Sequence, residues 1–319
     1  MSELLSIVDV SDWSIYKEET LGKSEKVWLR DPFVADQPAN HWLFKPVTVH
    51  KNSEVQGGDW AEKISGRVAE LLHVPCAEIE MASRNGISGT LSRNVRPSDE
   101  WDIYTGGLWL DSDCSNGYTE TSARPSRRKH GASPGYTLET VHSSLKQIGS
   151  PPDTESAASD LNGFDIFVGY LLLDALIANQ DRHEQNWSVL RPRRAGADSR
   201  LAAAYDHEGG LGFQLTDSKR DSLLDGGAEQ WAANGKAVRF DSGELAPPTL
   251  TSFAMAALEM AQNEAKEFWI ARAYAITNDR LTEIVETIPR MSDVTRNFVT
   301  TILHINLERL HNELDDHAA

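Results

Sequence analysis

The sequence predicts a two-lobed α+β fold, in which a β-rich N-terminal lobe is followed by a helical C-terminal lobe. Short apolar and aromatic runs bounded by turn residues fill the first hundred positions, a pattern typical of strands. Residues 164–178 form an almost wholly apolar run, and residues 251–314 carry apolar side chains at helical spacing. We therefore expect an N-terminal lobe over residues 1–103 and a C-terminal lobe over residues 104–319.

The N-terminal lobe is predicted to contain one helix and four strands. Asp59 to His73 has apolar side chains at helical spacing, with Asp59 as the expected N-cap and Glu62 in the first turn. Asn85 and Gly86 form a dipeptide favoured in hairpin turns, and it joins two of the predicted strands. The predicted strands cover residues 26–30, 41–47, 77–82 and 87–91.

The C-terminal lobe begins with a segment whose sequence shows little helix or strand periodicity. Residues 104–152 are rich in Gly, Ser, Pro and charged side chains, which predicts a long mobile loop with one short helix near residues 138–148. The apolar run at 164–178 is too short to span a membrane, so we expect a buried core helix. A loop-rich stretch follows residue 203. The last predicted helices cover residues 251–275, 280–288 and 293–314.

The 319-residue chain is strongly acidic, with 31 Lys and Arg against 48 Asp and Glu and a formal net charge of −17. This charge repels phosphate backbones and anionic lipid, so the composition argues against direct binding to nucleic acid or to a membrane. The N-terminus has no basic segment followed by an apolar core, and we expect no secretion signal. Two cysteines are too few for a disulfide framework. These observations predict a cytoplasmic protein.

A polar motif directly follows the predicted buried helix. Its sequence is N-Q-D-R-H-E-Q-N, in which Asp181 and Asn186 stand five positions apart. Asp206 follows a second small apolar run and precedes two glycines. Phosphoryl transfer from ATP needs one Asp to orient and deprotonate the attacking hydroxyl, and an Asn and a second Asp to hold Mg²⁺. The motif therefore predicts Asp181 as the catalytic base and Asn186 and Asp206 as metal ligands.

The N-terminal lobe contains residues that fit the other half of such a site. Lys45 lies where strand periodicity would bury it, and a buried lysine needs an anion. Glu62 lies at the edge of the apolar stripe of the predicted helix, where it could face Lys45. A Lys–Glu pair with the lysine on the ATP phosphates is what a protein-kinase site requires. Gly22, Lys23 and Ser24, in the turn before the first predicted strand, form the candidate phosphate-covering loop.

Together and in this order, these motifs resemble those of HipA-like serine/threonine kinases, over roughly residues 15–310. The resemblance is greatest to the stand-alone, single-domain members. It implies a protein-kinase-like fold, ATP and Mg²⁺ as cofactors, and a protein Ser or Thr hydroxyl as acceptor. It supports the roles given above to Lys45, Glu62 and the metal ligands, and it implies autophosphorylation at Ser24. It also implies a toxin role, with an antitoxin or regulatory protein as partner.

Each of these residues also has a structural interpretation. Asp181, Asn186 and Asp206 are residue types that favour turns. Lys45 could extend its amine from a strand edge into water. His183 could act as an acid or base, or could pack and hydrogen-bond to hold its loop. For the whole chain, two alternatives stay open: a kinase that phosphorylates a small-molecule hydroxyl, and a non-catalytic binding module of kinase shape.

Overall fold

The computed structural model describes residues 4–19, 26–49, 55–112, 118, 131–243 and 245–318. Over these residues the chain forms a six-stranded sheet, a three-stranded sheet and ten α-helices. The six-stranded sheet lies in the N-terminal part, and most of the helices lie in the C-terminal part. The predicted two-lobed α+β class is confirmed.

The N-terminal sheet contains all four strands that the sequence predicts, with two more at its edges. Its strands are β1 (Val8–Asp9), β2 (Ser14–Glu19), β3 (Lys26–Arg30), β4 (His41–Pro46), β5 (Ile79–Arg84) and β6 (Ile87–Arg93). Their order is β1-β5-β6-β4-β3-β2, and only β1 and β5 pair in parallel. The central position of β4 between β3 and β6 places Lys45 inside the sheet rather than at an edge.

Helix α1 (Gly58–Leu72) packs on β5 and β6 with Ile64 and Val68 fully buried. The prediction that Asp59 caps this helix was wrong, because the N-cap is Gly57. A Cβ at Gly57 would lie 1.9 Å from the ring of Trp60, so only glycine fits at the cap. The Asp59 carboxylate instead accepts a hydrogen bond from the backbone N–H of Trp60.

The second sheet spans the predicted lobe boundary at residue 103. Its strands are β7 (Trp101–Thr105), β8 (Ser188–Pro192) and β9 (Arg200–Leu201), all antiparallel in the order β7-β8-β9. Residue 103 lies inside β7, whose partner β8 belongs to the C-terminal lobe. The division of the lobes at residue 103 stays a prediction. Strand β7 itself was not predicted, because it pairs with a strand far along the chain.

The segment predicted as a long loop over residues 104–152 contains two helices, α2 (Gly106–Ser112) and α3 (Leu138–Leu145). Helix α3 matches the predicted short helix, whereas α2 was not predicted. Helix α2 begins with two glycines, which are poor helix formers, so its sequence carries no helical signal. Residues 113–117 and 119–130 of the predicted loop lie outside the described residues.

The C-terminal lobe is built around one buried helix. Its helices are α4 (Gly163–Leu176), α5 (Asp217–Leu224), α6 (Ala228–Ala233), α7 (Leu250–Met260), α8 (Asn263–Ala275), α9 (Asn278–Glu286) and α10 (Asp293–Ala318). Every residue of α4 is buried, and a capping box between Asn162 and Asp165 starts it. It packs against α7, α10 and α1, so it connects the C-terminal core to the helix of the N-terminal lobe.

The predicted helix over residues 251–275 is two helices, α7 and α8, because the backbone is extended at Ala261 and Gln262. The N–H of Gln262 donates to the carboxylate of Asp165, which fixes the break. Helices α5 and α6 lie within the stretch that was predicted as loop-rich. None of the helices in the described part of the chain combines the length and the apolarity that a membrane crossing requires.

Candidate active site

Lys45 and Asp206 are in direct contact although they are 161 positions apart in the sequence. Lys45 Nζ lies 2.8 Å from Oδ1 of Asp206, and Lys26 Nζ lies 3.9 Å from its Oδ2. Burial by itself would raise the pKa of Asp206, but Lys45 and Lys26 outweigh burial and hold that pKa well below its ordinary value. Asp206 is therefore a stable carboxylate between two ammonium groups at the boundary of the two lobes.

Glu208 is a second carboxylate on the same ammonium group, with Oε1 2.7 Å from Lys45 Nζ. Burial favours the neutral amine and would lower the pKa of Lys45, but Asp206, Glu208 and Glu62 raise it above its ordinary value. Burial also raises the pKa of Glu208. The sequence interpretation missed Glu208. Its position two residues after Asp206, directly before two glycines, was the available signal.

Glu62 lies on the buried face of α1 and contacts the loop that carries Asp206. Its Oε1 accepts a hydrogen bond from the backbone N–H of His207 at 3.0 Å, and His207 Nδ1 is 3.7 Å from the same oxygen. Within the described residues, Lys45 has its ion pairs with Asp206 and Glu208, and Glu62 adds a longer-range negative charge. The pairing of Glu62 with Lys45 stays a prediction.

A buried ion pair holds the loop at residues 179–186, between α4 and β8. Arg182 donates from Nε and Nη2 to the two carboxylate oxygens of Asp174, each at 2.8 Å, and the two side chains are only 3% and 2% exposed. Asp174 also accepts from the side-chain amide of Asn179, and Arg182 donates to the carbonyl oxygen of Asn186. One carboxylate on the last turn of α4 thus fixes both ends of the loop.

The sequence interpretation also missed Asp174. It is a charged residue within the apolar run F-D-I-F-V-G-Y-L-L-L-D-A-L-I-A, and this was a usable signal because a buried charge needs a partner. The motif itself contains that partner, Arg182.

Asp181 and Asn186 lie on this fixed loop. The side-chain amide of Asn186 donates to the carbonyl oxygen of Asp181 at 2.7 Å, which leaves Asn186 Oδ1 as the side-chain atom that can bind a cation. Asp181 is 40% exposed at its side chain, and its Oδ1 accepts a hydrogen bond from Nε of Arg239 and forms an ion pair with Nη2 of the same residue. His183 Nδ1 accepts from the backbone N–H of Gln185, so the neutral ring carries its proton on Nε2. Burial lowers the pKa of His183.

The loop after Asp206 packs directly on the loop of Asp181. A Cβ at Gly209 would lie 2.9 Å from Asn179 Oδ1 and 3.0 Å from the Cβ of Asp181, so glycine permits the close approach of the two loops. His183 also lies within electrostatic range of both Asp181 and Asp206. The two loops therefore form one surface, and Lys45 of β4 contacts this surface at Asp206.

The oxygen donors at this surface suit a hard cation whose remaining coordination positions are filled by a bound nucleotide and by water. Asn186 supplies an amide oxygen and Asp206 a carboxylate, the combination that accompanies nucleotide phosphates and water around Mg²⁺ in kinases. The described residues contain no group of three or more His, Cys, Asp or Glu arranged to hold a metal by themselves. Gly22, Lys23 and Ser24, the candidate phosphate-covering loop, lie outside the described residues.

The fold is similar to that of two solved kinase-like proteins. The proinflammatory kinase CtkA of Helicobacter pylori is 15% identical and has a TM-score of 0.68, with 98% of this chain and 100% of that chain covered. HipA of Shewanella oneidensis MR-1, in a toxin–antitoxin complex with HipB and operator DNA, is 14% identical and has a TM-score of 0.57, with 96% of this chain and 68% of that chain covered. No family model and no curated protein matches the sequence.

These likenesses show that the chain has a HipA-like kinase fold, which confirms the predicted resemblance at the level of the fold. The prediction that nucleic acid is not a direct partner gains no support, because the HipA structure includes operator DNA.

Proposed function

We propose that this protein is an ATP- and Mg²⁺-dependent kinase that transfers the γ-phosphoryl group to a Ser or Thr hydroxyl of a protein. The observation that carries the proposal is the 2.8 Å contact between Lys45 of the N-terminal lobe and Asp206 of the C-terminal lobe. The loop of Asp181 lies beside this contact, on the other side of Gly209. Under this proposal, the three side chains serve as the phosphate-binding amine, the metal-binding carboxylate and the base that phosphoryl transfer needs, and the kinase-like fold supports this assignment.

Each side chain has a defined task in the proposed reaction. Lys45 exchanges its carboxylate partners for phosphate oxygens of ATP. Asp206 and the amide oxygen of Asn186 hold Mg²⁺, which neutralises charge on the phosphates when it is bound. Asp181 orients the acceptor hydroxyl and takes its proton. Glu62 holds the backbone of His207 and thereby the position of the neighbouring Asp206.

The loop of Gly22, Lys23 and Ser24 is proposed to cover the phosphates, with Ser24 as an autophosphorylation site. An antitoxin or regulatory protein is the proposed partner, since the HipA neighbour is bound to HipB. Binding of such a partner would also bring DNA within reach if the partner is a DNA-binding protein. This part of the proposal rests on the likeness of folds alone.

The test uses the purified chain with γ-labelled ATP, with and without Mg²⁺, first alone and then with a cell lysate. We expect Mg²⁺-dependent label on protein, mapped to Ser or Thr by mass spectrometry. Asp181→Ala should lower the rate by about 10²–10⁴-fold, the usual contribution of a general base. It should leave ATP binding intact, whereas Lys45→Met should weaken ATP binding.

Other outcomes would contradict the proposal in distinct ways. Label that appears only on a small molecule would identify a small-molecule kinase. ATP binding without any Mg²⁺-dependent consumption of ATP would favour a non-catalytic binding module. Wild-type rates in Asp181→Ala would show that Asp181 is not the base.

A further inference from the structure

Among the side chains that the structure describes, Arg239 makes the closest contacts with Asp181, the proposed base. Its Nε lies 2.6 Å and its Nη2 2.5 Å from Oδ1 of Asp181. The Nε–H group donates a hydrogen bond to this oxygen, and Nη2 forms an ion-pair contact with it. The described residues provide no hydrogen-bond partner for Oδ2 of Asp181, and the side chain of Asp181 as a whole is 40% exposed.

The backbone that carries Arg239 is fixed to its surroundings on two sides. On one side, the N–H of Lys236 donates to the side-chain oxygen of Gln180, within the loop at residues 179–186, which the proposed function makes the catalytic loop. On the other side, the N–H of Asp241 donates to the carbonyl oxygen of Tyr136, and the ring of Phe240 stacks on Tyr136 with centroids 4.4 Å apart. These contacts therefore hold the backbone of residues 236–241 in place, and the side chain of Arg239 extends from it to the loop that carries Asp181.

We propose that Arg239 is a positioning residue for phosphoryl transfer: it holds Oδ1 of Asp181 so that Oδ2 faces the acceptor hydroxyl. This inference rests on the proposed kinase function. As the acceptor oxygen bonds to the γ-phosphorus, its proton passes to Oδ2, and the bond from the γ-phosphorus to the bridging oxygen of ADP breaks. A carboxylate fixed at one oxygen keeps the other within reach of that proton, whereas a freely rotating carboxylate does so only part of the time.

The same contacts would suit two other roles, and each predicts a different result. Arg239 could only tie the segment at 236–241 to the catalytic loop, in which case its loss would lower stability and leave turnover unchanged. It could also be inhibitory, if it binds the Asp181 carboxylate until the acceptor arrives, in which case its loss would raise turnover. The positioning role requires that turnover falls and that the fall depends on Asp181.

The chain offers a matched control for the geometry. Arg193 also brings Nε and Nη2 to one oxygen of an aspartate, Asp102, and donates to it from both nitrogens at 2.9 and 2.8 Å. Asp102 lies in β7 and Arg193 directly follows β8, their side chains are 43% and 55% exposed, and neither residue has a place in the proposed site. Arg193→Ala therefore removes the same type of contact without touching the catalytic loop.

The experiment measures kcat and KM for ATP in Arg239→Ala, Arg239→Lys and Arg193→Ala, together with their melting temperatures. We expect kcat of Arg239→Ala to fall by about 30- to 100-fold, as expected for a misplaced reacting group, with KM for ATP within about twofold of wild type. Arg239→Lys should recover part of kcat. Added guanidinium ion should partly restore Arg239→Ala and should have no such effect on wild type or Arg193→Ala.

A double variant tests whether Arg239 acts through the base. In an Asp181→Asn background, Arg239→Ala should lower the residual rate by less than about twofold, because residues that act as a unit are not additive. A full additional loss would overturn the proposal, as would unchanged or increased kcat in Arg239→Ala. If Arg239→Ala does not fold, wild-type kcat in Arg239→Lys, which cannot bring two guanidinium nitrogens to the same oxygen, would overturn it. A wild-type protein without transfer activity would refute the proposed function itself.

Discussion

Replacing Asp174 with alanine should destabilise the protein strongly, because Arg182 would stay buried without its counter-ion. The carboxylate accepts two hydrogen bonds from Arg182 and one from Asn179, all at 2.8 Å, in a place where the paired side chains are 3% and 2% exposed. Removal of one partner from such a pair costs about 3–5 kcal/mol. At about 2 °C per kcal/mol for a chain of this size, the melting temperature should fall by about 6–10 °C.

Thermal and urea unfolding of Asp174→Ala and wild type measure this loss. Asp102→Ala is the control, since it breaks an Arg–Asp pair that is half exposed and readily replaced by water, and its midpoint should not move. The double variant Asp174→Leu with Arg182→Met should be more stable than Asp174→Ala, because it leaves no unpaired charge. A melting temperature of Asp174→Ala within about 2 °C of wild type would refute the argument that this pair fixes the loop.

Three further predictions concern the site itself. Glu208→Gln should strengthen binding of Mg²⁺-ATP by about 3- to 10-fold in calorimetry, because an amide competes less well than a carboxylate for Lys45; weaker binding would instead make Glu208 part of the nucleotide site. Gly209→Ala should cost about 1–3 kcal/mol of stability and lower kcat more than KM, because its Cβ would press on Asp181; wild-type kcat in a folded variant would contradict this. The pKa of Asp206 lies below its ordinary value of 3.8, so its contribution to stability is complete above that pH and is lost as the pH falls below it. Asp206→Asn should therefore flatten the acid limb of a plot of unfolding free energy against pH, and an unchanged limb would assign that loss to other groups.

Local pattern was enough to predict most of the fold. Alternating apolar runs and a hairpin dipeptide predicted β3, β4, β5 and β6, and the continuous apolar run predicted α4. The errors fall where structure depends on distant contacts. Strand β7 exists because β8 pairs with it, and the break between α7 and α8 depends on a hydrogen bond to Asp165, 97 positions away from Gln262. No window of local sequence contains such information.

The candidate site divides in the same way. Residue types at fixed spacing indicated Asp181, Asn186 and Asp206, and one charged residue in an apolar strand indicated Lys45. Spacing does not tell which carboxylate pairs with a given cation, so Glu208 was missed. Arg239 was missed for a related reason, since it lies 58 positions after Asp181 in a segment without regular secondary structure. Only the folded chain brings these charges together.

The ion pairs of the site also imply that nucleotide and metal bind cooperatively under the proposed function. Lys45 is shared between Asp206 and Glu208; its side chain is 12% exposed, and those of the two carboxylates are 31% and 33% exposed. If nucleotide phosphates alone took Lys45, the two carboxylates would face the added negative charge without a counter-ion. If Mg²⁺ alone approached Asp206, it would compete with an ammonium group already 2.8 Å away. Bound together, the phosphates replace the carboxylates on Lys45 and Mg²⁺ replaces Lys45 on Asp206, so each ligand should increase the affinity for the other by the same factor.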